Sequence, residues 1–444
     1  MSKLTHEFRD PVHVFIRMDP DERSVVDSEP FQRLRHIHQL AMTYQVYPGA
    51  THRRFEHSLG CMEIATRIFD SITRTEKLRK LPLEVRERIP ELDHEDKLSH
   101  WRKTLRLAAL CHDLGHLPFS HASEELLPEG IDHEILTMRL VLEEMKDLWF
   151  KMNPAPKPEQ IAKIAVGKKK AKHMEFTPWE TILSEIITGD VFGADRMDYL
   201  LRDSLHAGVS YGHFDHHRLI DTMMILAGPP QDDSQKYSIE PALGIESGGV
   251  QVAESLLVAR YLMFTQVYFH HVRRIYDVHL KRFLKESLLG GTYPVDLKQF
   301  LAITDNEISS QILLAAKDKK RAGHEHAKSI ATRKHYRKIY QLMVQDRDCA
   351  PDVLERIAKG LADEIGSENI IIDSPHKNMA SKDDFPIRTE DGRIMSAHGE
   401  SKVMTSLPVA ATGFIFVHPD SRDRACKWRE KFVGNYFQTR DEQP

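Results

Sequence analysis

Residues 111–121 read CHDLGHLPFSH: three histidines, an aspartate, a glycine and a proline directly after the apolar run Leu105, Leu107, Ala108, Ala109 and Leu110. His112 beside Asp113 is a mixed nitrogen and oxygen donor pair, which suits a borderline or hard divalent ion such as Mn, Fe, Zn or Mg. A catalytic ion takes about three protein ligands and keeps one position open, so further donors must come from elsewhere. In THRRFEHSLG (51–60), Arg54 and His57 stand three apart, which on a helix sets a cation and an imidazole on one face. In ADRMDYLLRDSLHAG (194–208), Asp195, Tyr199 and Asp203 recur at every fourth position. That is a polar stripe where a helix of a bundle is ordinarily apolar.

The elements that must hold these groups read as helices. DPDERSVVD opens with Asp19 able to cap, Pro20 in the first helical position and Glu22 closing a capping box. Apolar periodicity marks GCMEIATRIFDSI, KTLRLAALCHDL, HEILTMRLVLEEMKDL and ETILSEIITGDVF in the same way. Residues 248–291, with glycine pairs at both ends, read as one long helix. The expected class is mainly α: an all-α bundle carrying the catalytic core over 1–290, then a smaller α/β region over 291–444 with strand-like runs NIIIDSP and TGFIFVHPD.

Composition excludes more than it selects. The chain has 444 residues, a formal charge of -4 and 26 histidines. So balanced a charge gives no whole-chain field to draw in nucleic acid or an anionic membrane. Cys61, Cys111, Cys349 and Cys426 form no C-x-x-C pair, which argues against a thiolate zinc site and for a reducing compartment. No run approaches the roughly 20 apolar residues of a membrane span. A soluble, cytoplasmic protein without a membrane partner is expected.

Six segments occur in one collinear order over roughly residues 8–290: DPVH (10–13), FQRLRHIHQL (31–40), YPGATHRRFEHSLG (47–60), HDLGHLPFSH (112–121), DHE (132–134) and DRMDYLLRD (195–203). In them the sequence resembles the HD-domain deoxynucleoside triphosphate triphosphohydrolases, as a bacterial-type relative of the vertebrate SAM-and-HD-domain enzymes expected to lack the SAM domain. The resemblance implies an HD-domain helical bundle and a divalent metal (Mn, Fe, Mg or Zn) on His57, His112, Asp113 and Asp195. It implies that His116, His121 and His133 face phosphate and handle protons, with Glu124 where the best-known member has an aspartate supporting the catalytic histidine, here His121. Arg54 matches a triphosphate contact, and Arg196 stands where the family has a lysine. Gln39 and Leu40 match the pair that packs on the deoxyribose and reads its 3'-hydroxyl, Tyr199 and Asp203 match pocket walls, and Tyr276 matches the tyrosine that closes against the 2' carbon.

The implied reaction converts a dNTP to deoxynucleoside and inorganic triphosphate. The resemblance also implies a GTP or dGTP activator between subunits of a homo-oligomer, dimer or tetramer. Asp27, Gln32 and Arg35 match its guanine-reading residues, and Arg333 and Arg337 match the basic segment on its phosphates, while His6 stands in place of the family's activator-binding lysine. Two other readings compete: an HD phosphohydrolase of a different nucleotide phosphoester, and weak single-stranded nucleic-acid binding or nuclease action. The second would use the basic cluster of 317–338 and the run GKKKAKH (167–173). A catalytically silent nucleotide sensor is disfavoured by the intact ligand set.

Overall fold

The computed structural model describes residues 5–229, 238–342, 352–377 and 384–433. An antiparallel hairpin, His6–Asp10 with Val14–Met18, leads into the helix Pro20–Val26. The capping box forms as its residues dictate: Asp19 accepts from the Glu22 N–H, and the Glu22 carboxylate accepts from the Asp19 N–H.

Three helices carry the chemistry, Arg54–Ile72, Glu95–Cys111 and Ala194–Ala207, the first packed against both others. Arg54–Ile72 is buried around most of its circumference, as suits a central helix. Glu95–Cys111 has Glu95 and Asp96 in its first turn, where the helix dipole favours acids, and runs buried from Thr104 to its end. Gly60 permits the close approach of Arg54–Ile72 to Ala194–Ala207, because a Cβ there would lie 1.9 Å from Asp198 Oδ1 and 2.4 Å from Arg202 Nη2. Pro158–Val166 packs on Glu95–Cys111, and Pro178–Thr188 packs on Pro158–Val166.

The mainly α class stands, but the first 290 residues are not all-α. Besides the N-terminal hairpin, Met223–Gly228 pairs antiparallel with Ser238–Glu246, and the second strand pairs parallel with Pro386–Arg388, which is bordered by Ile394–Ser396. Met223–Gly228 is buried along its whole length. A strand buried on both faces lacks the alternation that separates strand from helix in a sequence.

Residues 248–291 are also not one helix. Val250–Met263 passes into a π-helical turn, Phe264–Tyr268, and a new helix, His271–Ser287, starts where the His270 side chain accepts from the Val272 N–H. A π turn inserts a residue and rotates the face that follows it.

The strand-like runs of the C-terminal region form as read. Gly413–Val417 lies between Arg337–Leu342 and Ile370–Asp373, antiparallel to both. Alternation along this strand turns Phe414 and Phe416 into the main core and Ile415 and Val417 into a second core with Leu354, Ile357, Leu361 and Trp428. Among the described residues no helix is long and apolar enough to cross a membrane.

Candidate metal and phosphate site

The Arg54–Ile72 helix presents His57 one turn after Arg54, and His112 caps the C-terminus of Glu95–Cys111. Asp195 stands in the first turn of Ala194–Ala207. These elements converge so that His57 Nε2 lies 3.3 Å from His112 Nε2 and 3.1 Å from Asp195 Oδ1. Asp113 Oδ1 is 3.4 Å from His112 Nε2, and its Oδ2 is 3.6 Å from His57 Nε2. Donor atoms of His57, His112 and Asp195 all lie within 4.8 Å of one another.

The outer hydrogen bonds decide what these imidazoles can do. His57 Nδ1 faces Asp198 Oδ2 at 2.8 Å, and His112 Nδ1 faces the Ala109 carbonyl at 2.8 Å. Both acceptors require the proton on Nδ1, so in the neutral rings both Nε2 lone pairs point at the same small space. Two lone pairs and two carboxylates in contact are stable only around positive charge. The donor set therefore fits a divalent cation. The same demand shows in the titration of His57: burial opposes its charged form, yet Asp195 and Asp198 outweigh it and raise the pKa to about 9. His112 is also raised well above the usual range, by Asp113 against the effect of burial.

Asp198, which the sequence reading passed over, anchors this arrangement. It is buried, receives Arg202 Nε at 2.8 Å and His13 Nε2 at 2.7 Å, and stays ionised well below the usual carboxylate range because Arg202, His13 and His57 overcome its burial. Arg202 in turn donates to Asp10 at 2.8 Å. The i,i+4 pair Asp198 and Arg202 was the available signal, since that spacing makes an ion pair on a helix.

The loop after His112 approaches the helix His133–Arg139 closely, and Gly115 allows it: a Cβ there would lie 2.0 Å from the His133 carbonyl. His116 Nε2 reaches Asp113 Oδ1 at 3.2 Å, and its ring stacks on that of His133 at 4.0 Å. Burial, Arg54 and His133 keep His116 well below its usual pKa against the pull of Asp113. His133 moves the other way: burial lowers it, but its hydrogen bond to Glu124 and the nearby Glu134 raise it. Glu124 thus meets His133, while the side chain of His121 lies outside the described residues. Arg54, itself buried, donates from Nη1 to Asp113 and from Nε to Ser120 Oγ at 2.9 Å.

These groups open on a cavity of about 1120 Å³, whose walls include the predicted Gln39, Leu40, Arg196, Tyr199 and Asp203. Arg196 donates from Nη2 to Asp190 at 3.4 Å, while its Nε and Nη1 are buried with no hydrogen-bond partner, and unsatisfied guanidinium donors beside a cavity suit an anion. Lys168, Lys169, Lys170 and Lys172, the core of the basic run 167–173, line the same cavity.

Tyr276 is not among the lining residues. It is fully buried, with its ring 5.1 Å from that of His335. Besides Tyr199, the cavity wall carries Tyr268, whose hydroxyl donates to Asp203 Oδ2 at 2.7 Å while His52 Nε2 holds Oδ1 at 2.7 Å. The π turn that ends at Tyr268 accounts for the difference, because a continuous helix would present another face.

The residues assigned to an activator fall in two places. Asp27 pairs with Arg23 at 2.7 Å, and Arg35 donates to Gln32 Oε1 at 2.9 Å while lying over the Phe55 ring. Arg333 donates to the Gln45 carbonyl, and Arg337 lines a smaller cavity of about 180 Å³ with Lys338, Arg422, His271 and His335.

The chain matches the model of the HD domain over residues 54–203 and that of the HD associated region over 214–413. It is 34% identical over 324 residues to an uncharacterized protein of Methanocaldococcus jannaschii, covering 68% of this chain and 56% of that one. It is 28% identical over 429 residues to the deoxynucleoside triphosphate triphosphohydrolase SAMHD1 of Gallus gallus, covering 86% of this chain and 65% of that one. The chain thus spans somewhat over half the length of these curated relatives. The crystal structure of a hypothetical protein from Aquifex aeolicus superposes with a TM-score of 0.75 at 31% identity, covering 95% of this chain and 99% of that one. With both family segments matched in sequence order, the chain belongs to the HD-domain family, with an HD-associated region following the HD domain.

Proposed function

We propose that the protein is a metal-dependent phosphohydrolase that cleaves dNTPs to deoxynucleoside and inorganic triphosphate. The observation that carries this reading is one cavity that joins a divalent-metal donor set to Arg196, whose Nε and Nη1 have no hydrogen-bond partner, and to a polar wall of Gln39, Tyr199 and Asp203. The deoxynucleoside triphosphate triphosphohydrolases among the relatives support it. His57, His112, Asp113 and Asp195 would hold the ion, whether Mn, Fe, Mg or Zn. When bound, a divalent cation supplies Lewis acidity, polarising a phosphoryl oxygen and acidifying water.

The chain's own groups do the rest. Arg54, fixed by Asp113 and Ser120, presents a rigid cation to the phosphates, and Arg196 offers its unpartnered Nε and Nη1 donors to the same anion. His116, held neutral, can accept a hydrogen bond or a proton at the phosphate. The leaving 5'-oxygen needs a proton. We assign the donor to His121 from its place in the motif, with His133, held toward its charged form by Glu124, as the second acid of the site. Asp203, clamped by His52 and Tyr268, presents a carboxylate toward a sugar hydroxyl.

In the same reading, a guanine nucleotide, GTP or dGTP, activates a homo-oligomer through Asp27, Gln32 and Arg35 of one surface and Arg333 and Arg337 of another. The basic lining of the smaller cavity supports a phosphate contact there. A second reading, single-stranded nucleic acid at the main cavity, is favoured by the placement of Lys168, Lys169, Lys170 and Lys172 on its wall. Such binding would fall steeply with salt.

One experiment separates these. Each dNTP is incubated with Mn- or Mg-loaded protein, with and without GTP or dGTP, and the products are resolved by ion exchange. Deoxynucleoside with intact triphosphate is expected. Monophosphate with pyrophosphate, or no turnover with any metal, would overturn the assignment. An unchanged rate and oligomer size on adding guanine nucleotide would remove the activator.

A further inference from the structure

Asp305 lies outside the HD segment, at the start of the helix Asp305–Ala315, and is almost completely buried. A buried carboxylate needs donors, and those of Asp305 come from two loops of the cavity. The Phe119 N–H donates to Oδ1 at 2.7 Å, while the His38 N–H, at 2.8 Å, and His38 Nδ1, at 2.5 Å, both reach Oδ2. Phe119 and Ser120 are consecutive non-glycine residues in the left-handed region, with φ of 57° and 56°. Such strained residues persist only where the surroundings over-determine them. Ser120 Oγ then accepts from Arg54 Nε and donates to the His38 carbonyl at 3.0 Å. Arg33 ties the same places together, donating to the His116 carbonyl at 2.9 Å and to the Ile303 carbonyl at 3.0 Å.

We infer that Asp305 is a positioning residue of the site: from the HD-associated region it holds the left-handed Phe119–Ser120 turn and His38, and through Ser120 it fixes the aim of Arg54. Its carboxylate bridges the loop that carries the acid–base histidines and the segment that leads into Gln39 and Leu40. The inference deepens the phosphohydrolase reading, since Arg54 matters only where an anion binds. It makes the HD segment alone an incomplete site.

The test uses the full-length, metal-loaded protein and the variants Asp305→Asn and Asp305→Ala, with Glu307→Ala as a control that disturbs only the capping box of the same helix. Asparagine keeps one acceptor oxygen, so it can serve either the Phe119 arm or the His38 arm but not both, and it is the milder change should alanine fail to fold. Three quantities are read: bound metal, amide exchange at residues 119–120, and affinity for inorganic tripolyphosphate, with kcat and KM for dNTP added. Metal content is expected to hold. Exchange should quicken about tenfold in Asp305→Ala, tripolyphosphate should bind about tenfold more weakly, and kcat should fall about 10- to 100-fold, the equivalent of one charged hydrogen bond. Wild-type exchange and wild-type tripolyphosphate affinity in both Asp305 variants, or equal losses in Glu307→Ala, would overturn the positioning role. Absence of dNTP turnover in the unmodified protein would instead count against the substrate assignment, because the exchange and tripolyphosphate readings do not depend on it.

Discussion

Two buried histidines, His57 in the HD core and His279 beyond it, titrate in opposite directions. In the HD core, His57 sits among Asp113, Asp195 and Asp198, and its pKa rises to about 9 in spite of burial. In the following region, His279 is equally enclosed, but its neighbours are the basic groups His326, His335, Arg282 and His418, and burial first, then these neighbours, lowers its pKa to about 3. Its bonding agrees: the Tyr336 N–H donates to His279 Nε2, and Nδ1 meets His326 Nδ1 at 3.2 Å, a pattern that needs a neutral ring. Burial pushes both rings down; at His57 the surrounding carboxylates reverse that effect, whereas at His279 the neighbours add to it. One group calls for a cation, and the other excludes one.

The most drastic way to break the contrast is His112→Ala, which removes a donor from the metal face. Turnover should vanish and metal content fall, with helicity by circular dichroism unchanged; a variant that keeps its metal would contradict the ligand assignment. Next, Asp198→Asn should weaken metal binding about 10- to 100-fold in a chelator competition, because it removes the charge beside His57 and leaves one acceptor oxygen where Asp198 serves His57 and His13 with two. Unaltered affinity would mean that Asp198 serves stability alone. Glu124→Gln should act more gently. Without that carboxylate the pKa of His133 drops, so the basic limb of the pH–rate profile should move to lower pH.

The smallest effect, and the one that sharpens the contrast most, is on stability against pH. A raised folded pKa gives stability that is complete below the unfolded value and lost as pH climbs, so metal-free protein should lose thermal stability between about 6.5 and 9 through His57. Saturating divalent metal should abolish that loss. His279, lowered in the fold, works in the other window. The unfolded chain takes up its proton first, so stability should decline as pH drops from about 6.5 toward 3. His279→Gln should flatten the part of this decline above about pH 5, where carboxylates contribute little. Melting curves with and without chelator report both slopes, and parallel slopes would refute the opposed electrostatics.

Local spacing made much of this legible in the sequence. The capping box at Asp19, the shared face of Arg54 and His57, and the stripe of Asp195, Tyr199 and Asp203 follow from helical periodicity within a few residues. What escaped was set by distant partners. Asp198 acquires its importance from His13 and Asp10, and Asp305 acquires its own from His38 and Phe119, across more than 180 positions in each case. Tyr268 was hidden by a π turn that no periodic pattern announces, and Met223–Gly228 by burial on both of its faces.

The strand Gly413–Val417 has a consequence for how the molecule comes apart. Phe414 and Phe416 belong to one apolar core, and Ile415 and Val417 to the other. Neither core can melt without exposing half of the same five-residue wall, so loss of one strips the other of its packing. Thermodynamic cooperativity should then cross the boundary that the change in sequence texture draws, and calorimetry should record one unfolding transition where that texture marks two regions.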